Sequence, residues 1–255
     1  MSLTLTALSE IPIIQPGDSL GNLICDALNK ADLLMRDGDI LVIAQKIISK
    51  AENRLVNLTQ VKPSERAKEI AAIALKDPRF VELVLQESKS LIRIRPGLII
   101  SEHRNGFICA NAGIDHSNVK GVWGNLEDWV LLLPQNADES AKKLRIDLEN
   151  RFGVRIGVLI IDSHGRAWRT GTVGMTIGLS GFPALVDLRG EEDLFGYKLK
   201  VTQVAAADEL AAGASLIMGQ AKEASPVVHA RGFPYKMRES SLEELIRPME
   251  QDMFR

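Results

Sequence analysis

Cysteine is scarce in this chain: among 255 residues only Cys25 and Cys109 carry thiols. Both sit inside apolar segments, so the expectation is buried reduced thiols rather than a disulfide framework, and with them a cytoplasmic location. Long hydrophobic runs are missing too, none approaching the ~20 residues that cross a bilayer. The start, Met1-Ser-Leu-Thr-Leu-Thr-Ala7, lacks the basic residues and extended apolar region of a secretory signal. Charge of one sign is not in excess: the formal net charge of −2 argues against a general nucleic-acid or anionic-membrane surface, while leaving room for a local basic pocket. The four histidines show no HxxxH or HExxH spacing, which excludes a histidine-rich zinc site of that kind. There is no G-x-x-x-x-G-K-[ST] loop, no dinucleotide fingerprint and no G-x-S-x-G elbow. Any nucleotide is therefore held in another way, and neither cysteine sits in a nucleophile motif.

What is present fits a soluble globular protein, with 45% apolar and 25% charged residues. The length suffices for one large domain or two small ones. The most informative stretch is Val154-Arg-Ile-Gly-Val-Leu-Ile-Ile-Asp162-Ser-His-Gly-Arg166. Its apolar part reads as a strand buried on both faces, whose end delivers Asp162 and Ser163 to a sheet rim. A carboxylate beside a hydroxyl there holds a hard cation through oxygen or closes an Asx-type turn; the stretch alone leaves both open.

Ile40 to Ala44 is a second buried-strand candidate. Asp18 is placed to cap an amphipathic helix carrying Leu20, Leu23, Ile24, Ala27 and Leu28 on one face. Pro63-Ser64 opens a helix through Leu75, Asp77-Pro78 opens another through about Ser88, and Ser140 to Phe152 forms one stopping at Gly153. Asn105-Gly106 signals a hairpin between Leu98–Ile100 and Phe107–Ala110. Glycines at 171, 174, 178 and 181 weaken a strand unless another backbone or a ligand approaches closely. Val201 to Val204 reads as a strand, Ala206 to Met218 as a helix, and Pro226 to Ala230 as a strand. Ser241-Leu-Glu-Glu244 is a capping box opening a terminal helix that Pro248 ends. Hairpins mixed with crossover patterns imply an α/β or α+β fold with a mixed sheet.

Four polar segments carry candidate chemistry. Gln45-Lys46-Ile-Ile-Ser-Lys50-Ala-Glu-Asn-Arg54 follows a buried strand and offers two lysines to phosphate oxygens, or is a solvated loop. Asn111-Ala-Gly-Ile-Asp115-His-Ser-Asn118 offers a second carboxylate and an amide, or a capped turn. Asp162-Ser163 is the third, and the loop Met218 to Ser225 past a helix end is the fourth. Arg151, Arg155, Arg166 and Arg169 bind anions or serve as surface ion-pair partners.

Taken together, Ala44-Gln-Lys-Ile-Ile-Ser-Lys-Ala-Glu52, Asn111 to Val119 and Asp162-Ser-His-Gly-Arg-Ala-Trp-Arg169 resemble the coenzyme F420-0:γ-glutamyl ligase family. Gly171-Thr-Val-Gly174, Asp187-Leu-Arg-Gly190, Asp193-Leu-Phe-Gly196 and Ala207-Asp-Glu209 continue the likeness in order, from about Ile11 to Gly232. The resemblance implies a GTP-dependent amide ligase adding L-glutamate to the deazaflavin F420-0, with later additions γ-linked. It also implies two divalent cations (Mg²⁺ or Mn²⁺), an activating monovalent cation such as K⁺, and an intertwined homodimer with a mixed α/β fold peculiar to the family. The chain matches the stand-alone form, one domain over 1–255 with room for two subdomains, and ends too soon for a fused flavin-reductase-like domain.

By position, the resemblance makes Asp115 and Asp162 ligands of the first metal and catalytic together with Lys50. Ser163 and Gln220 fall at the second metal. Ile11, Pro12, Ile13, Ile14, Gln45, Lys46, Lys50 and Asn118 fall on GTP contacts, as do Met218, Gly219, Gln220, Ala221, Lys222, Glu223, Ala224 and Ser225. Archaeal members place a glutamate where this chain has Gln220; a neutral amide is a poorer divalent-metal ligand, and Glu223 is the alternative. The segment from Lys120 to Trp129 is longer than usual in such proteins, and its Trp123 and Trp129 are candidates for a dimer contact or for flanking substrate. Two other readings stand beside the ligase: a metal-dependent phosphohydrolase using the same aspartates, and a catalytically silent nucleotide- or deazaflavin-binding protein.

Overall fold

The computed structural model describes residues 2–121 and 123–253. In chain order the first elements are β1 (Thr4–Leu8), α1 (Leu20–Lys30), β2 (Ile40–Ala44), α2 (Gln45–Ala51) and β3 (Leu55–Asn57). Then come α3 (Glu65–Ala74), α4 (Pro78–Gln86), β4 (Ser88–Arg95), β5 (Leu98–His103), β6 (Ile108–Ala110) and β7 (Trp129–Leu131). The last third holds α5 (Ala137–Phe152), β8 (Gly157–Arg166), β9 (Arg169–Ser180), β10 (Val186–Asp187), β11 (Gln203–Val204), α6 (Ala206–Met218) and β12 (Val227–Arg231).

A five-stranded mixed sheet in the order β1-β12-β2-β8-β9 forms the frame. Only β2 and β8 run parallel; the other neighbours are antiparallel. The parallel pair is the most apolar, as strands covered on both faces must be: Ile40 to Ile43 and Val158 to Ile160 are fully buried. The expected mixed α/β architecture is therefore present. The glycines of β9 have the close-approach role: a Cβ at Gly178 would lie 2.4 Å from the Ala137 backbone of α5, and one at Gly174 would lie 2.6 Å from the Ala211 carbonyl of α6.

The crossover from β2 to β8 contains a second apolar cluster, built from Ala67, Ile70, Phe80, Val84, Ile99, Val130 and Leu132. It joins α3 and α4 to a β4-β5-β6 sheet and the β3-β7 pair. Here the local signals hold: Ser64 accepts from the Ala67 amide, Asp77 accepts from the Arg79 amide with Pro78 following, and Leu98–His103 pairs with Ile108–Ala110 as a hairpin.

Three expectations need correction. Helix α1 has Ser19, not Asp18, at its N-cap, because the Asp18 carboxylate accepts from the Gln15 amide in the preceding turn. Ser241 opens only a 3-10 turn, Leu242–Leu245, with no side-chain cap. The Glu244 carboxylate that a capping box would turn back to the Ser241 amide is paired with Arg238 instead, and the Leu242 amide at the start of the turn donates to Asp138. The central strand does not end at Asp162 either. It runs on to Arg166 and pairs with β9, so Asp162 and Ser163 stand at the base of a two-stranded arm.

Trp129 is an internal packing residue rather than a surface contact. It is buried with Val119 and Leu131, and its Nε1 donates to the Trp123 carbonyl at 2.6 Å. Within that segment Val122 lies outside the described residues. No helix among the described residues is long and apolar enough to cross a membrane.

Candidate functional site

Register decides where the polar segments meet. The β2–β8 ladder ends at Ala44 opposite Ile161, and β1 ends at Leu8 opposite Val227, the first residue of β12. The Ala44 amide donates to the Pro226 carbonyl at 2.8 Å. One end of the sheet therefore collects four things: the segment after β1, helix α2 after β2, Asp162 one residue past the ladder, and the loop before β12. The rim of an open α/β sheet is where such folds gather ligand-binding groups.

Asp115 arrives from the second lobe. Its backbone bridges Leu131, and its Oδ2 accepts from Gln45 Nε2 at 2.8 Å, with Lys46 Nζ 3.5 Å away. Gln45 is buried, and its other amide atom accepts from Ser49 Oγ, so both ends of this side chain are engaged inside the protein. Lys46 Nζ also donates to the carbonyl and hydroxyl of Ser117, and Lys50 Nζ donates to the Asn118 carbonyl at 2.9 Å. The two lysines are thus tethered to the turn that carries Asp115. Asn118 Nδ2 reaches the Ala221 carbonyl at 3.2 Å and ties this turn to the loop before β12.

Burial pushes the Asp115 carboxyl up to about 6, with the negative charge of Asp162 adding to it against the ammonium of Lys46. Two carboxylates brought into mutual repulsion in a partly dry cleft are the arrangement a hard cation relieves. Among the described residues no group of three or more His, Cys, Asp or Glu side chains gathers to hold a metal. The remaining oxygen donors come from elsewhere: Ser163 Oγ lies 2.8 Å from Gln220 Oε1. Glu223 turns away into its own loop, where its carboxylate accepts from the Ala221 amide and is held below its usual range. Geometry thus sets Gln220, rather than Glu223, beside Ser163. This oxygen-only set suits Mg²⁺ or Mn²⁺.

The Asp162 carboxylate does not close an Asx turn; its Oδ2 lies 3.0 Å from His164 Nε2. Burial depresses Lys50 below the usual lysine range, and the neighbouring charge of Lys46 adds to this. The segment from Ile11 to Ile14 follows β1, which ends at the same rim at Leu8, and beyond it the Gly17 amide donates to the Ala51 carbonyl at the far end of α2. Within it Ile14 is core, while Ile13 is exposed. Arg151 is an ion-pair partner, bonded to Asp147 and Asn22.

The pattern of the F420-0:gamma-glutamyl ligase family matches residues 9–232. The chain belongs to that family. It is 43% identical to the coenzyme F420:L-glutamate ligase of Methanothermobacter thermautotrophicus over 257 residues, covering 100% of both chains. It is 44% identical to the Methanocaldococcus jannaschii protein of the same name, covering 96% of this chain and 94% of that one. A more divergent relative of that name, from Methanosarcina mazei, is 36% identical over 100% of this chain and 96% of its own.

The site contains residues that the reading of the sequence passed over. Ser117 holds Lys46, and His164 holds Asp162. The second was findable: residues i and i+2 of a strand share a face, so a histidine two places after Asp162 lies beside it. Phe107 was not findable, since it comes from the tip of the β5-β6 hairpin and meets His164 only in space.

Proposed function

We propose that this protein is a GTP-dependent ligase that joins L-glutamate to the deazaflavin F420-0 through an amide, and adds further glutamates by γ-linkage. The observation that carries this reading is the convergence of the Asp115–Asp162 pair, the two lysines and the loop before β12 at one sheet rim, in a member of this family.

A carboxylate is a poor electrophile, so one of its oxygens first attacks the γ-phosphorus of GTP; the new P–O bond replaces the bond to the β–γ bridging oxygen, and GDP leaves. The glutamate amine then attacks the acyl carbon; a C–N bond forms, the C–O bond to phosphate breaks, and phosphate leaves. Such transfer needs placement and charge neutralisation more than covalent help, which accords with the absence of a nucleophile motif. Asp115 and Asp162, with Ser163 and Gln220 beside them, are the residues that would hold divalent cations; bound there, the cations would offset the charge of the phosphoryl oxygens. Lys46 and Lys50 exchange their present carbonyl and hydroxyl partners for phosphate oxygens. Burial, with the neighbouring charge of Lys46, holds Lys50 below the usual lysine range, a cost that a bound anion offsets. Activation by K⁺ and a cytoplasmic setting belong to the same reading.

The protein acts as a homodimer. Trp168 on the β8–β9 arm, and Leu194, Phe195 and Val201 on a second arm in which β10 pairs antiparallel with β11, are each more than four-fifths exposed, an apolar display that monomers rarely leave open. A second copy of the chain is the occupant the family reading supplies.

The test is incubation with F420-0, GTP, Mn²⁺ and L-glutamate, followed by mass spectrometry of the deazaflavin. Glutamyl products are expected from the wild type and none from Asp162→Ala, which should keep its far-ultraviolet dichroism. Phosphate release without any glutamyl product would instead support a phosphohydrolase, and tight GTP binding with neither product a silent binding protein.

A further inference from the structure

Among the described residues, His164 is the one imidazole in direct contact with the carboxylate pair. It is buried to within 8% of its surface, three residues past the end of the β2–β8 ladder. Its Nε2 meets Oδ2 of Asp162 at 3.0 Å. The other side of the ring is braced by the second lobe: Phe107 lies against it at 5.4 Å between centroids, with the rings tilted by 41°. Phe107 is itself backed by His103, stacked at 5.0 Å and 9°. His103 is buried, and its Nδ1 accepts from the Asn105 amide at the hairpin tip. Burial lowers its pKa to about 4, so the ring that supports the stack is neutral. The hairpin is closed by the His103 amide donating to the Phe107 carbonyl at 2.8 Å.

We infer that His164, braced by Phe107, is a positioning residue that fixes the Asp162 carboxylate through Oδ2 and leaves its other oxygen to hold a cation. The inference rests on the proposed cation role of Asp162. A carboxylate at the base of a two-stranded arm has only one covalent anchor, and its χ angles are otherwise free to turn it toward solvent. A bond at one oxygen removes that freedom before the ligand arrives, which is how outer partners sharpen a metal-holding carboxylate. The brace also couples the lobes: the hairpin of the lobe that delivers Asp115 orients Asp162 of the other, so both carboxylates answer to one packing contact.

The experiment is Mn²⁺ titration of the whole protein followed by electron paramagnetic resonance, with the KM for Mn²⁺ and kcat measured in parallel. His164→Leu removes the donor and is expected to weaken Mn²⁺ binding by roughly ten- to a hundredfold, raising the KM for Mn²⁺ while kcat at saturating Mn²⁺ stays near wild type. His164→Gln keeps a donor at the position of Nε2 and is expected to recover most of the affinity. Phe107→Leu leaves the imidazole in place but loosens it, and should fall between the two. If His164→Leu does not fold, Phe107→Leu still decides, with His164→Gln as its donor-retaining control. Unchanged Mn²⁺ affinity in His164→Leu or in Phe107→Leu, with wild-type binding intact, overturns the positioning role alone. A nitrogen coupling on bound Mn²⁺ that disappears in His164→Gln also overturns it, since His164 would then be a ligand. No Mn²⁺ binding by the wild type overturns this inference and the cation reading beneath it together.

Discussion

Replacing Asp39 with asparagine should weaken the fold measurably and leave the rim chemistry alone. Asp39 precedes β2, at the end of the sheet remote from Ala44, and is 2% exposed. Arg231 donates to it through Nε at 2.9 Å and Nη2 at 2.6 Å, the Arg36 amide donates at 2.9 Å, and His229 Nε2 lies 2.8 Å from the same carboxylate. Removing one charge of a buried ionic cluster costs about 3–5 kcal/mol, because the partner is left uncompensated. Arg231 keeps about a third of its side chain in water, and that exposure lets solvent recover part of the loss, so about 2–3 kcal/mol is the reasoned value. In a domain of this size the melting temperature should fall by about 4–12 °C. Burial works to raise the Asp39 pKa, but the bonds from Arg231, His229 and the Arg36 amide outweigh it and hold the carboxyl below the usual aspartate range. A depressed carboxylate contributes its full stability above the unfolded-state pKa and loses it as pH falls through the folded-state value. The gap between wild type and Asp39→Asn should therefore be constant across neutral pH and close only below about pH 4. Calorimetry over a pH series measures this. A loss below about 2 °C at pH 7, or a gap that closes near neutrality, would refute the argument.

Two further changes probe the proposed function. Lys50→Ala removes a charge-assisted contact to phosphate, worth about 1.5–3 kcal/mol, and should lower kcat/KM for GTP about ten- to a hundredfold, read from initial rates; an unchanged value would place Lys50 outside the nucleotide site. Leu194→Ser combined with Phe195→Ser removes the two most exposed apolar side chains of the β10–β11 arm, and sedimentation should show dimers giving way to monomers. Dimers of undiminished stability would move the interface elsewhere.

Much of the frame was legible because its signals are local. The buried runs at Ile40–Ala44 and Val158–Ile161 announce strands without needing partners, and Ser64, Asp77 and Asn105-Gly106 act on amides only a few residues away. The glycines of β9 announced a close approach, although only the fold shows that α5 and α6 are what approaches. Local signals failed where a distant group took the same atom. Ser241 and Glu244 spell a capping box, yet Arg238 claims its carboxylate acceptor and Asp138 binds the neighbouring Leu242 amide.

Chain chemistry by itself determined the types of group available: two aspartates, two lysines, a hydroxyl and an amide, with no covalent nucleophile motif. It also carried the family likeness, since ordered motifs survive without coordinates. Only the tertiary structure decided which of these groups meet. The parallel register of β2 with β8 sets Lys46 and Asp162 at one rim, and the second lobe, inserted between those strands, brings Asp115 to them. The same placement makes Gln45 a buried holder of Asp115, sets Gln220 beside Ser163, and braces His164 with Phe107. Such pairings lie 57 to 71 residues apart along the chain, and contacts at that separation are set by packing of the whole core, which no short window of sequence contains.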